Sequence, residues 1–540
     1  MFHQILDPLG SVAGDTLLAL VPVAVLLLLL AALRMAAWQA VIIGSVVTVL
    51  LGIFVWDAPA GGTLAAYGLG AATGVWSVDW IVFWGIIIYN TLVATGAFTD
   101  FKEWLIRQAT ADIRVQTLLM AWSFGALMEG LVGFGYPWAV VAPILISLGV
   151  ADLAAIRVAA LANNAPVSYG ALGAPIIGLA AVTGLPLMDL SQSIGRIVAV
   201  LALAPPWLLI YLVSGKKGLR TGWPLAIVGS FGYIAGQFPV AELVGPYLPD
   251  ITGALVSFAA LLLFLRLWRP PTILGFGGRE LDAEDIRREQ ETAIGGASAV
   301  ATGRVVRALV PFGILIAVVV LWTGPWSPLP GYVPFAPSVG FIDSLTHSAG
   351  SAAWKFAPAV AGTAILVSWL LILAYLRPRP SQFKQIFVES YRQLWGALLV
   401  GPFIFGLAFV FNFSGMANSM ADGFSKVGTV YVVFAAVLGW IAVALSGSNT
   451  SSNAVFGHFQ YAVGKLLGAP ALLFPSLNSV GAEVGKPIAP QTASVGVATT
   501  KFVRSEGEVI RYNMGWTLAI LAYLILIGCL YYFFFPAAMR

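Results

Sequence analysis

Lys486 lies between Gly485 and Pro487 in a stretch otherwise almost free of charge, with Glu483 three residues before it. Glu129 stands alone in a second apolar stretch. An ionised group in such surroundings needs a counter-charge, so Lys486 is read as pairing with Glu483 or meeting the carboxylate of a bound solute. A carboxylate there can exchange a proton, which makes Glu129 a residue for proton coupling; it could instead tie down N–H groups of its own turn. The run Ser446-Gly447-Ser448-Asn449-Thr450-Ser451-Ser452-Asn453 follows an apolar segment, Thr429 to Leu445, and Asn163, Asn164 and Asn478 punctuate other apolar segments. Hydroxyls and amides both donate and accept, so Ser446, Ser448, Asn449, Thr450, Asn163, Asn164 and Asn478 could hold a small anion that carries a hydroxyl. Gly133, Gly135 and Gly447 would let backbone approach that solute, or else let helices pack closely.

No other chemistry is written in the chain. His3, His347 and His458 are too scattered for a metal site and Cys529 is the single cysteine, so neither metal nor cofactor is expected. Nucleophile elbow, H-E-x-x-H and Walker patterns are missing, which argues against an enzyme. Gly275-Phe276-Gly277-Gly278 follows no strand pattern and is a weak phosphate-loop match.

The elements that must position these residues are set by composition. With 540 residues, 59% hydrophobic and 10% charged, and a mean hydropathy of +0.91, the chain reads as an all-α polytopic membrane protein. The net charge of +4 suits basic loops at a membrane face and shows no nucleic-acid-binding stripe. The first fifteen residues hold no Lys or Arg, so a cleaved signal peptide is not expected. Spans fall near 16–33, 38–55, 80–98, 190–213, 222–239, 252–268, 304–322, 352–376, 392–413, 428–446 and 513–535, while 115–185 and 446–500 are apolar but broken by Gly, Pro, Asn and Ser. With the broken zones the count comes to about 12–14 transmembrane segments.

Arg34, Lys216, Lys217, Arg220, Arg377, Arg379, Lys384, Lys501, Arg504 and Arg511 mark loops on the cytoplasmic side. The N-terminus, 240–250 and the Pro-rich 323–351 hold no Lys or Arg and are placed outside, which puts both termini in the periplasm. Charge is densest between 275 and 303, a cytoplasmic linker dividing an N-terminal half, 1–274, from a C-terminal half, 304–540.

The halves carry matching punctuation. In one, Ala94-Thr95-Gly96-Ala97 leads through an amphipathic stretch to Met128-Glu129-Gly130, then Ala162-Asn163-Asn164-Ala165-Pro166 and Gly173-Ala174-Pro175. In the other, Phe413-Ser414-Gly415 leads to Ser446–Asn453, then Leu477-Asn478-Ser479 and Gly485-Lys486-Pro487. The loop charges place the amphipathic stretches on opposite faces, so the reading is two inverted repeats, each with a re-entrant hairpin and a discontinuous helix. Irregular backbone at membrane depth survives where it lines a cavity or is buried in protein, and paired interruptions of this kind point to a solute site near the midplane. The alternative is a softened helix whose hydroxyls bond back to their own carbonyls.

Three motifs carry a resemblance. Glu129-Gly130-Leu131-Val132-Gly133-Phe134-Gly135 with Pro137, Ala162–Pro166 through Gly170-Ala171-Leu172-Gly173, and Ser446–Ala454, with Gly485-Lys486 and Pro490-Gln491, resemble the lactate permease family of bacterial inner-membrane monocarboxylate transporters. That resemblance implies uptake of L-lactate, with D-lactate and glycolate as further 2-hydroxy monocarboxylates, by proton symport. The paired interruptions also look like the two-hairpin carboxylate transporters, in which a mobile domain carries the hairpin tips and a scaffold forms a homodimer. A sodium-coupled di- or tricarboxylate carrier is the alternative within that architecture. The chain departs from the family pattern at Asn449, where Asp is expected, and at Asn164, where Thr is expected; if that Asp handles the coupling proton in the family, the resemblance implies that proton coupling passes to Glu129 or Glu483 here.

Overall fold

The computed structural model describes residues 1–108, 110–133, 135–287, 301–498 and 506–540. Phe134 of the first motif, residues 288–300 of the charged segment, and Lys501 and Arg504 among the orientation marks lie outside the described residues.

Among the described residues nine helical runs are long and apolar enough to cross a membrane. That number is smaller than the segments counted in the sequence because the legs of hairpins and the halves of broken helices are individually short. Asp152–Ala162 and Val167–Thr183, for example, meet at a 69° bend. Residues 190–213 and 222–239, read as two spans, fall within one 57-residue run, Leu187–Leu243. Inside it the backbone reverses at Gly215, φ 65° and ψ −165°, a conformation open to glycine.

To this helical architecture the structure adds a small sheet. Phe2–His3 pairs in parallel with Ser338–Ile342, which pairs antiparallel with Ala349–Ala353. The prolines of 323–351 exclude a long helix there and leave extended backbone free to pair. Asp343 closes the strand turn. Burial alone would raise its carboxyl, but the N–H groups of Thr346 and Leu345, the Asn418 amide and the Thr346 hydroxyl outweigh burial and hold it below the usual carboxylate range. Gln4 then ties the N-terminal strand down by donating to the carbonyls of Asn412 and Phe413, at 2.7 and 3.0 Å.

Two helical hairpins dominate the interior. Tyr431–Ser446 ends at Gly447, whose φ of 73° turns the chain into Asn449–Leu466. The legs run back along each other, because the Tyr431 hydroxyl, at one base, donates to Gln460 at 2.8 Å. The other hairpin rises through Ile113–Leu131, turns at Gly133 and Gly135, and returns as Tyr136–Ser147.

The hairpins enter from opposite ends of the run 216–243. At the first base, Arg114 donates to the Gly218 carbonyl and Thr221. At the far end, Glu242 holds Arg196, which reaches the Ala538 carbonyl, and the Met539 carbonyl accepts from Leu472 beyond the second hairpin. Both tips abut one short helix, Pro490–Val497: a methyl on Gly135 would lie 3.1 Å from Thr492 and one on Gly447 2.9 Å from Gln491.

The second hairpin is locked to Leu473–Gly485 by glycines. A Cβ on Gly439 would strike the Asn478 carbonyl, and one on Gly481 or Gly485 the carbonyls of Ala436 or Trp440. Backbone this close in a bilayer maximises dispersion contact that lipid cannot replace. Gly481→Ala is therefore expected to lower the thermal stability of the purified protein by about 1–3 kcal/mol, whereas Gly313→Ala, inside Thr302–Thr323 with nothing near, should cost less.

Candidate functional site

Hairpin legs and broken helices converge on a buried polar core. The Lys486 ammonium meets the Glu129 carboxylate at 2.6 Å, both side chains almost fully buried. The other Glu129 oxygen accepts from the Asn163 amide at 2.7 Å. Lys486 thus pairs across the two halves of the chain instead of with Glu483 on its own helix. The Lys486 ammonium lies against Glu129, while the Glu483 carboxylate is engaged by the Ser168 N–H. Gly170 leaves room for the pair, since a Cβ there would sit 2.6 Å from Glu129 Oε1.

Glu483 serves the other break. Its Oε1 accepts the Ser168 N–H at 2.6 Å, satisfying backbone exposed where the first broken helix turns, and Ser168 Oγ is 2.9 Å from Ser479 Oγ. Its second carboxylate oxygen is buried without a partner among the described residues. Asn449 donates to the Ser479 carbonyl at 3.1 Å, Asn453 to the Pro175 carbonyl and Ser479 Oγ, and Asn478 to Asn453 at 3.0 Å. Asn163 and Asn478, matched by the sequence punctuation, differ in conformation. Asn163 closes Asp152–Ala162, whereas Asn478 lies inside the unbroken helix Leu473–Gly485, held there by Asn453 and Ser452. Both polar ends of Asn164 are buried without a partner among the described residues.

A cavity of about 290 Å³ opens beside this core. Ser446, Ser448, Thr450, Ser451 and Ser452 of the second hairpin line one wall, with Gln491 next to them; Asp79 and Gly401 line the opposite wall. At the hairpin tip Ser448 caps Asn449–Leu466 by accepting the Ser451 N–H at 3.2 Å, and its carbonyl accepts from Ser452. The first N–H groups of a helix have no acceptor within it, which leaves those of Asn449 and Thr450 for a ligand, at the positive end of the helix dipole. A second cavity, about 710 Å³ and lined by Asn412, Lys355 and His458, backs onto the first. Phe405 of the first cavity touches Gly178, while neighbouring Ile177 and Phe409 line the second.

Of the residues singled out in the sequence, Ser446, Ser448 and Thr450 line the smaller cavity. Gly447 forms the turn above it. Asn163, Asn449, Asn478, Lys486, Glu129 and Glu483 form the core behind. Gln491 entered the sequence reading only within a family motif, and sequence reasoning missed Asp79, Ser168 and Asp250, whose Oδ1 accepts from Tyr233 at 2.9 Å in the interior. Asp79 had a signal, a lone acid inside an apolar helix. Asp250 looked like an ordinary loop residue.

The arrangement can hold a small anion and move charge, and the sequence itself matches, over residues 15–536, a protein family described as L-lactate permease. The chain belongs to the L-lactate permease family. It is 34% identical to the glycolate permease GlcA of Escherichia coli K12 over 538 residues, 95% of each chain. The L-lactate permeases of Bacillus subtilis 168 and Salmonella typhimurium are 31% and 30% identical, each across 96% of both chains. Among solved structures, MtrF of Neisseria gonorrhoeae aligns with a TM-score of 0.49 at 15% identity, over 92% of this chain and 94% of that one. The YdaH transporter of Alcanivorax borkumensis aligns at 0.45 and 14%, over 88% and 87%. Membership makes the chain an integral membrane permease. In this permease Asn449 spends its amide on the Ser479 carbonyl, and its buried oxygen has no partner.

Proposed function

We propose that this permease takes up L-lactate, and also D-lactate and glycolate, across the bacterial inner membrane by proton symport, with both termini periplasmic and a homodimer as its assembly. What carries the reading is the second hairpin tip: Ser448 and Thr450 line a cavity, and the first N–H groups of Asn449–Leu466 have no acceptor within their own helix. Those amides suit a carboxylate and the hydroxyls of Ser448 and Thr450 suit the 2-hydroxyl. The named relatives, L-lactate and glycolate permeases, support the substrate class.

A lactate anion entering against an inside-negative potential is opposed by about 2.3 kcal/mol per 100 mV, and one accompanying proton cancels that charge. Within the core, Glu483 is the residue suited to carry it, because one carboxylate oxygen is uncommitted while both oxygens of Glu129 are engaged. Proteoliposomes with labelled L-lactate test the coupling: entry should alkalinise the outside and ignore sodium. Uptake that needs sodium and disregards the pH gradient would overturn it. Glu483→Gln should keep lactate counterflow and lose proton-driven accumulation, the inside-to-outside ratio falling to about one, since an amide cannot release the proton.

A further inference from the structure

Asp79 belongs to none of the machinery described so far. It ends Gly74–Asp79, a stretch of wide π-type turn at the head of Trp80–Ala94, and such turns recur at functional sites. The π turn and Gly401 bring its carboxylate into the smaller cavity, where a Cβ on Gly401 would overlap both carboxylate oxygens. Among the residues lining that cavity Asp79 is the single ionisable side chain; the others are apolar, hydroxyl or amide groups. Among the described residues no cation or hydrogen-bond donor is paired with its carboxylate. The facing elements contribute Gly401 from Pro380–Ser414, Val41 and Trp38 from Ala37–Phe54, Thr450 and Ser451 from the hairpin, and Gln491, none of them charged. The Lys486–Glu129 pair and Glu483 lie in the core behind the hairpin.

We propose that Asp79 is a specificity-determining residue that admits a monocarboxylate to the cavity only when it carries a proton. This rests on the monocarboxylate reading above. The cavity is small and its other lining groups, apolar, hydroxyl and amide, carry no compensating charge, so an ionised Asp79 and a substrate carboxylate repel each other. Protonated, Asp79 gains an O–H that can donate to the substrate. Binding of each anion then takes up one proton at Asp79, and the group acts before any proton reaches the core.

The linkage is direct to measure. In purified full-length permease, the apparent Kd for L-lactate should weaken by about tenfold per pH unit above the ionisation of Asp79. Asp79→Asn, nearly the same shape, should bind with an affinity that no longer follows pH in that range. In the wild type, a hydrophobic carbodiimide should modify Asp79 by intact-peptide mass, more at low pH, and saturating L-lactate should slow it. Unchanged pH dependence in Asp79→Asn, or carbodiimide labelling indifferent to lactate, overturns the assignment of Asp79. Failure of wild-type protein to bind L-lactate at any pH overturns the substrate reading instead, so the two failures are told apart.

Discussion

Lys486→Met is expected to abolish lactate uptake and to lower the thermal stability of the detergent-purified permease by about 3–5 kcal/mol, the cost of leaving one partner of a buried ion pair alone. Lys486 and Glu129 are 2.6 Å apart in the interior, and besides the lysine only the Asn163 amide donates to that carboxylate among the described residues. Met fills the volume of the aliphatic chain, so packing is nearly preserved and the loss reports charge. Glu129→Gln in the same chain removes the orphaned charge and should recover most of the stability, because a neutral amide beside a thioether costs far less than a buried anion. Uptake should stay absent. A lysine serving only as a seat for solute could be removed without harm to the fold. One that joins residue 486 to the helix Gly125–Leu131 across the two halves of the chain cannot, and unfolding by intrinsic fluorescence, with and without Glu129→Gln, separates these cases. Equal stability of Lys486→Met and wild type would remove the pair from the framework.

How much of this was legible beforehand follows from which interactions are local. Helix breaks at Gly133, Gly135, Gly447 and Lys486–Pro487 were readable because glycine, proline and runs of hydroxyls interrupt lipid-soluble helix wherever they occur. Hydroxyls at the second hairpin tip were readable for the same reason, and Ser446, Ser448 and Thr450 do line a cavity. Partner choice was not readable. Lys486 has a carboxylate three residues away and takes one 357 residues away, while the near one, Glu483, accepts from the Ser168 N–H on another element. Asn449 and Asn478 look like binding groups in the sequence, yet their amides satisfy Ser479 and Asn453, a network fixed by how Asn449–Leu466 lies on Leu473–Gly485. Asp79 faces the hairpin tip from a helix more than three hundred residues earlier in the chain, a juxtaposition that no spacing encodes.

Gly447→Ala is expected to cut L-lactate uptake by about 100-fold, the effect of displacing binding groups by roughly 1 Å. Two strains act at this residue. Its φ of 73° lies in the left-handed region, where a Cβ costs an L-residue about 1–2 kcal/mol. The new methyl would also fall 2.9 Å from Gln491 Oε1, so either the Gln491 side chain or the hairpin tip must give way. Whatever moves the turn moves Ser448, whose hydroxyl fixes the first turn of Asn449–Leu466 and lines the cavity. Adding Gln491→Ala removes the 2.9 Å contact but keeps the Cβ of residue 491 at 3.1 Å and leaves the backbone strain, so the double variant should regain part of the uptake and none of the strain energy. Gly447→Asn reverses the balance, since Asn tolerates left-handed backbone while its larger side chain meets Gln491 more severely. If backbone strain dominates, uptake should rank Gly447→Asn above Gly447→Ala; if crowding against Gln491 dominates, the order inverts, and Gln491→Ala should then rescue both.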